Sequence, residues 1–186
     1  PLDDPAFGTI LKPTAGITPD DVERLVGDVA GDPLLMFIKE DEDLYPDLDY
    51  SPVAERTRRA IRAIERVKES RDGRGLVYSP HVTSSPEQIV DLVLGVVDAG
   101  ASGVMFSETY HGGTVRMVRE ATRSLDKPPA IYGHNAGIGV RTRAIWREVI
   151  DLLARLDGID FRQTGPVRPG DPFIRPYGQE WEASEH

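Results

Sequence analysis

The sequence alternates short apolar segments with longer segments of helical periodicity, and it does so six times. The apolar segments are predicted strands at 7–11, 34–38, 75–78, 103–106, 130–132 and 159–161. The segments between them are predicted helices, which begin near 18, 51 and 85 and cover 114–125 and 142–156. Regular alternation of strand and helix is typical of βαβ units, whose strands form a parallel sheet.

The alternation predicts an α/β fold of the (β/α)8 TIM-barrel type. A closed barrel needs eight units and about 250 residues, whereas this chain has 186 residues and about six units. After position 165 the sequence is rich in Pro and Gly and shows no further strand–helix pattern. We therefore expect an incomplete barrel, with a partial (β/α) barrel domain over 1–165 and a loop or tail over 166–186.

The predicted strand at 34–38 is followed at once by charged residues. Lys39 comes first, and Asp41 and Glu42 are two of the four acidic residues directly after it. An α/β barrel places its chemistry at the carboxyl ends of its strands. Carboxylate oxygens are hard ligands suited to Mg²⁺, so the pattern predicts a metal site. The alternative interpretation of this charged stretch is a surface turn in which the lysine and the acidic residues neutralise one another.

Polar side chains follow the other predicted strands as well. They are Lys12, His81, Glu108, His134 and Gln163. Because the carboxyl ends of parallel strands meet at one face, we expect these side chains to surround one pocket. A desolvated Lys12 with a lowered pKa would be suited to proton transfer there.

Three stretches resemble the catalytic barrel of the RuBisCO large-subunit superfamily. Residues 8–13, GTILKP, are similar to the first-strand motif that contains the family's catalytic lysine. Residues 37–42, FIKEDE, are similar to the second-strand motif, in which a lysine takes up CO₂ as a carbamate. Residues 133–137, GHNAG, resemble the family's histidine loop.

The resemblance implies roles for the residues at these positions. Lys39 would carry the carbamate, which joins Asp41 and Glu42 in holding Mg²⁺. Lys12, Lys39 and His134 would be the catalytic residues. The family chemistry removes a proton beside a carbonyl and proceeds through an enediolate.

The sequence also departs from the carboxylating members of that family. Thr14 stands where those members have a second lysine, and Asn135 stands where an arginine grips phosphate. Gln163 replaces a histidine after the sixth strand. The carboxylating members then have a flexible loop with a lysine, whereas residues 166–186 contain no lysine. These departures favour the RuBisCO-like branch, whose members enolise, isomerise or decarboxylate other substrates and do not fix CO₂.

The substrate implied by the resemblance is a small anionic sugar acid or sugar phosphate. Its predicted binding residues are Lys12, His81, Glu108, His134, Asn135 and Gln163. The parent protein is expected to be a homodimer that supplies two more βα units and an amino-terminal domain. We accordingly expect that 1–186 alone is not an autonomous monomeric enzyme.

The net charge of −9 argues against nucleic acid or an anionic membrane as a partner. It also means that an anionic substrate needs a local positive site. No apolar run approaches the length of a membrane span, and the chain has no cysteine. These features are compatible with a cytoplasmic protein.

Two other functions stay open at the level of sequence. One is another metal-dependent or Schiff-base barrel aldolase, in which Lys12 or Lys39 forms the covalent adduct. The other is a non-catalytic barrel fragment or assembly module, whose open strand edges pair with another chain.

The helical periodicity also predicts which side chains are buried. In the helix that begins near 51, we expect a solvated basic face, made of Arg56, Arg58, Arg59, Arg62 and Arg66. In the helix at 142–156, we expect a buried apolar face, made of Ile145, Val149, Ile150, Leu152, Leu153 and Leu156, with Trp146 in the core.

Overall fold

A computed structural model describes residues 7–107 and 113–163 of the chain. The strands are β1 (Phe7–Ile10), β2 (Leu35–Lys39), β3 (Val77–Ser79), β4 (Gly103–Ser107), β5 (Ala130–His134) and β6 (Phe161–Arg162). The helices are α1 (Pro19–Ala30), α2 (Val53–Arg66), α3 (Ile89–Asp98), α4 (Thr114–Thr122), α5 (Ile138–Arg141) and α6 (Arg147–Asp157), with a 3₁₀ helix at Lys68–Arg71. The predicted tail at 166–186 and Glu108 lie outside the described residues.

The strands pair in parallel and in chain order. One sheet has the order β1-β2-β3 and the other the order β4-β5-β6. The two are joined just after β3, where His81 forms an isolated parallel bridge with Met105 and Met105 exchanges hydrogen bonds with the carbonyl of Pro80 and the amide of Val82. The predicted α/β class is confirmed, and closure into an eight-unit barrel stays a prediction.

Helix α1 begins where the sequence predicts it, and its first residues show why. The Oγ1 of Thr18 accepts from the amide of Asp21 at 3.2 Å, and the amide of Thr18 donates to the Asp21 carboxylate at 3.0 Å. This reciprocal capping box satisfies two backbone groups that a helix start leaves unpaired. Pro19 occupies the first turn, where its missing N–H costs nothing.

We expect Thr18→Ala to lower the free energy of unfolding by about 1 kcal/mol, because the alanine cannot accept the Asp21 amide. Thr18→Ser is the matched control, since it keeps the oxygen, and it should stay within a few tenths of a kcal/mol of the wild type. Urea titration monitored by circular dichroism measures both. Equal losses in the two variants would show that the cap does not stabilise α1.

The core consists of two clusters of buried side chains, one against each sheet. The first packs β2 and β3 against α1 and α2, and includes Val22, Val26, Ile38, Ala60 and Tyr78. The second packs β4 and β5 against α3, α4 and α6, and includes Val93, Val104, Phe106, Val118 and Ile131. The helices therefore cover one face of each sheet and leave the strand ends free to build a site.

One of the arginines predicted to be solvated is buried. Arg56 is fully buried on the inner face of α2, together with Ala60 and Ile64. The prediction is wrong for this residue because Glu40 lies opposite it and neutralises its charge. Arg58, Arg62 and Arg66 are more than half exposed, as predicted.

The last helix differs from its prediction in both position and packing. The helix expected at 142–156 begins only at Arg147 as α6, and α5 is a separate short helix that ends at Arg141. Trp146 is 60% exposed rather than in the core, and of the predicted apolar face only Ile150 is buried. The reason is that β6 has two residues, and no further element within the described part of the chain packs against the outer side of α6.

None of the described helices is long and apolar enough to cross a membrane. The longest of them, α2, has 14 residues.

Candidate functional site

The site begins with Lys39, the last residue of β2. Its side chain is fully buried, and its Nζ donates to the Glu40 carbonyl at 3.1 Å and to Glu42 Oε2 at 3.4 Å. The ring of Tyr132 lies 5.9 Å from Nζ. Burial lowers the pKa of Lys39 below its ordinary value, although the charges of Glu42 and Asp41 oppose the shift. The amine is therefore closer to its neutral, nucleophilic form than a surface lysine is.

Asp41 pairs with Lys12 across the ends of β1 and β2. Lys12 Nζ lies 2.5 Å from Asp41 Oδ2, and the lysine side chain is 61% exposed while the aspartate is 2% exposed. Burial by itself would raise the pKa of Asp41, but the hydrogen bonds from Lys12 and from the Asp43 amide lower it overall. Asp41 is thus held as an anion within reach of solvent-exposed Lys12.

The expectation of a desolvated Lys12 with a lowered pKa is wrong. The hydrogen bond to Asp41 and its negative charge raise the pKa of Lys12 instead. The cause is the place of the residue just after β1, at the open edge of the sheet, where water reaches the ammonium group. Lys12 is a persistent cation rather than a neutral base.

His134, the last residue of β5, approaches the cluster from the other sheet. Its Nε2 lies 3.1 Å from Glu42 Oε2, and its Nδ1 accepts from the Ala136 amide at 3.2 Å. Because Nδ1 accepts, the proton of the neutral ring is on Nε2, which donates to Glu42. Burial and the charge of Lys39 lower the pKa of His134, although Glu42 opposes the shift.

An aromatic layer lies beside this cluster, between the two sheets. Phe37 contacts Tyr132 and Phe161 with ring centroids 5.7 and 5.5 Å apart, and the latter two rings are 4.8 Å apart. Gly8 faces the Phe37 ring so closely that a Cβ there would lie 2.0 Å from it. Gln163 accepts a hydrogen bond from the Tyr132 hydroxyl at 3.2 Å. The layer excludes water from one side of Lys39.

The other predicted binding residues are placed differently. The ring of His81 is buried, its Nδ1 donates to the Leu44 carbonyl at 3.1 Å, and burial lowers its pKa to about 4. Asn135 follows His134 and is half-buried, and its carbonyl accepts from the Ile138 amide. The structure brings together Lys12, Lys39, Asp41, Glu42 and His134, while substrate contacts of His81 and Asn135 stay predictions.

Sequence reasoning missed Glu40, which lies between Lys39 and Asp41. Its carboxylate is fully buried and pairs with Arg56. Two signals were available in the sequence. Residues alternate between the two faces of a strand, so Glu40 faces away from Lys39 and Asp41. The i, i+4, i+8 spacing also places Arg56 on the same helical face as Ala60 and Ile64.

The donor set of the cluster fits a Mg²⁺ ion together with a lysine carbamate. Asp41 and Glu42 supply hard carboxylate oxygens, and Lys39 supplies a buried amine with a lowered pKa. Nowhere in 7–107 or 113–163 do three His, Cys, Asp or Glu side chains gather closely enough to hold a metal. A carbamate on Lys39 would add a third anionic oxygen ligand beside Asp41 and Glu42.

The family model of the ribulose bisphosphate carboxylase large chain, catalytic domain, matches residues 2–172. The chain belongs to this family. The resemblance of its strand-end motifs to RuBisCO is thereby confirmed, and it extends over nearly all of the chain.

Among its relatives is an uncharacterized ribulose bisphosphate carboxylase-like protein of Bordetella bronchiseptica, which is 31% identical over 84% of this chain. The 3-oxo-isoapionate-4-phosphate transcarboxylase/hydrolase of Xanthobacter autotrophicus is 32% identical, also over 84% of this chain. The chain spans 36 and 37% of the length of these two relatives. It aligns with the dimeric archaeal Rubisco of Hyperthermus butylicus with a TM-score of 0.80 and 23% identity, over 99% of this chain and 42% of that one.

Proposed function

We propose that this chain is the catalytic barrel domain of a RuBisCO-like, Mg²⁺-dependent enzyme that does not fix CO₂. Its reaction passes through an enediolate of a sugar acid or sugar phosphate, in an isomerisation, enolisation or decarboxylation. The observation that supports this most directly is the cluster at the ends of β1, β2 and β5. It combines a buried lysine, two carboxylates, an exposed lysine and a histidine: Lys12 contacts Asp41, and both Lys39 and His134 contact Glu42.

Each member of the cluster has a distinct role in the proposal. Asp41, Glu42 and carbamylated Lys39 hold the metal, which when bound would supply a Lewis acid that polarises a substrate carbonyl. Lys12 stays protonated because of Asp41, and it donates a hydrogen bond to the substrate oxygen that becomes negative. His134 donates through Nε2 and orients Glu42.

An anionic substrate needs a local positive charge in this acidic protein, and in the proposal Lys12 supplies it together with the metal that Asp41 and Glu42 would hold. The chain has a net charge of −9, yet the exposed ammonium of Lys12 lies at the open side of the cluster. The Xanthobacter relative is named for 3-oxo-isoapionate-4-phosphate, a phosphorylated oxo acid. Such a compound has both the carbonyl and the negative charge that this cluster is suited to bind.

The test is an assay of the full-length protein with Mg²⁺, bicarbonate and 3-oxo-isoapionate-4-phosphate as the probe substrate. Lys12→Met should lower the rate by about 10²–10³-fold, the usual effect of removing one donor to a developing negative charge. Lys68→Met is the matched control, because Lys68 is exposed and pairs only with Glu65 among the described contacts, and it should keep the wild-type rate. Equal rates for both variants would contradict the role of Lys12.

A second arm of the experiment tests the absence of carboxylation. With ribulose bisphosphate and labelled CO₂, the full-length protein should form no labelled three-carbon acid, because Thr14 and Asn135 replace cationic residues of the carboxylating members. Fixation of label above a heat-inactivated sample would overturn the non-carboxylating assignment.

The lowered pKa of Lys39 also suits a Schiff-base aldolase, which is the second candidate. Borohydride reduction in the presence of the probe substrate separates the two functions. The proposed metal-dependent enzyme should show no mass increase on the peptide that contains Lys39. A stable adduct on that peptide would favour the aldolase.

A further inference from the structure

Glu40 is the most completely hydrogen-bonded acidic side chain near the cluster. It is fully buried, and its Oε1 and Oε2 accept from Arg56 Nε and Nη2, each at 2.9 Å. Oε1 also accepts from the Tyr78 hydroxyl at 2.9 Å, and Oε2 from the His81 amide at 3.0 Å. Four donors, from α2, from β3 and from the segment just after β3, thus determine where this carboxylate lies.

Arg56 extends the same network into the loop after β2. Its Nη2 donates to the carbonyls of Leu44 and Tyr45 at 3.4 and 3.3 Å, and its Nη1 donates to the carbonyl of Ser51. The ring of His81 adds a further hydrogen bond to Leu44. One guanidinium therefore joins the end of β2, the loop over 41–52 and the start of α2.

Stability alone does not account for such a pair. Two charges taken out of water lose hydration, and apolar residues of similar size in their place are often equally stable. The place of Glu40 in the chain suggests another role, because Lys39 precedes it and Asp41 follows it. The side chains of Lys39 and Asp41 pair with Glu42 and Lys12, whereas the partners of Glu40 are Arg56, Tyr78 and the His81 amide. Fixing the Glu40 carboxylate fixes the backbone from which Lys39 and Asp41 project.

We propose that Glu40 and Arg56 form a positioning pair that holds Lys39, Asp41 and the following loop in the geometry required for metal capture. This inference rests on the proposed function, and both residues of the pair are fully buried, so that they act through Lys39 and Asp41. Displacement of a ligand by about 1 Å weakens a preorganised site strongly. The pair therefore controls the affinity of the site and not only the stability of the fold.

The experiment compares Arg56→Lys with Arg71→Lys in the full-length protein. Arg71 is a matched control because it is also buried and also anchors backbone carbonyls next to β2. Those carbonyls belong to Ala30, Asp32, Leu35, Arg74 and Gly75, at the opposite end of the strand. The lysine in either variant keeps the charge and loses the planar fork of donors.

The first measurement is the dissociation constant of Mn²⁺ in the presence of bicarbonate, determined by electron paramagnetic resonance. The temperature is kept well below the unfolding temperature of both variants. Arg56→Lys should raise the constant at least tenfold, and Arg71→Lys should leave it within twofold of the wild type. Equal values in the two variants would overturn the inference, since a purely structural role lowers the folded fraction and not the affinity of the folded protein.

The second measurement is amide hydrogen exchange without metal, which does not depend on the proposed function. The amide of Glu40 donates to the Ser79 carbonyl, and that of Leu44 donates to the Asp41 carbonyl. Both should exchange at least tenfold faster in Arg56→Lys than in Arg71→Lys, and equal rates would overturn the positioning role. If the wild type and Lys39→Ala bind Mn²⁺ equally, the proposed function fails, and the exchange rates still decide the role of Arg56.

Discussion

Arg56→Met should lower the free energy of unfolding by about 3–5 kcal/mol, which is the usual cost of leaving one member of a buried ion pair without its partner. The variant removes both guanidinium hydrogen bonds to Glu40 and those to three loop carbonyls. Glu40 is then a buried carboxylate with only two donors, Tyr78 and the His81 amide. Chemical denaturation at pH 7, monitored by tryptophan fluorescence, measures the loss.

The control for this prediction is Arg58→Met on the same helix. Arg58 pairs with Glu55 at 3.3 Å on the protein surface, where its side chain is 53% exposed. Exposed ion pairs contribute about 0–1 kcal/mol, so this variant should remain close to the wild type. The double variant Glu40→Met with Arg56→Met should be more stable than Arg56→Met alone, because it removes the unpaired charge. A double variant less stable than the single one would show that the charge of Glu40 is not what destabilises Arg56→Met.

The position of the cluster could be predicted from the sequence because local patterns determine it. An uninterrupted apolar segment before Lys39 indicates a strand buried on both faces, and the alternation of strands and helices places the ends of β1, β2 and β5 on one side. The placement of Lys12, Asp41 and His134 at one side of the sheet follows from that rule alone. The rule assigns positions along the chain, and it says nothing of which charges pair.

The protonation states and the pairing of Glu40 with Arg56 could not be predicted, because they depend on contacts between distant segments, whereas local patterns indicate only the face on which each side chain lies. Lys12 has a raised pKa owing to Asp41, which is 29 positions later. Arg56 is buried only because Glu40 meets it across the interface between β2 and α2. The prediction of which side chains of α6 are buried was wrong for a related reason, since periodicity identifies an apolar face but not the element that covers it.

Lys39→Met should remove the response of Mg²⁺ binding to CO₂ while it increases the stability of the metal-free protein at pH 7. Methionine has no amine to form a carbamate, so the affinity that rises with bicarbonate in the wild type should stay constant in the variant. Titration calorimetry with Mg²⁺ at several bicarbonate concentrations measures this. Affinity in the wild type that is independent of bicarbonate would contradict the carbamate.

The gain in stability follows from the pKa of Lys39. Burial lowers it below the ordinary value of 10.5, so between the two values the folded protein binds fewer protons than the unfolded chain. The stability of the wild type therefore rises as the pH rises through this interval.

The gain in the free energy of unfolding of Lys39→Met over the wild type should be largest below the folded pKa and should shrink as the pH approaches 10.5. Lys68→Met, at an exposed position, should show no such trend. An advantage that does not change with pH would mean that Lys39 is not destabilised as a buried cation, and would remove the physical basis for its uptake of CO₂.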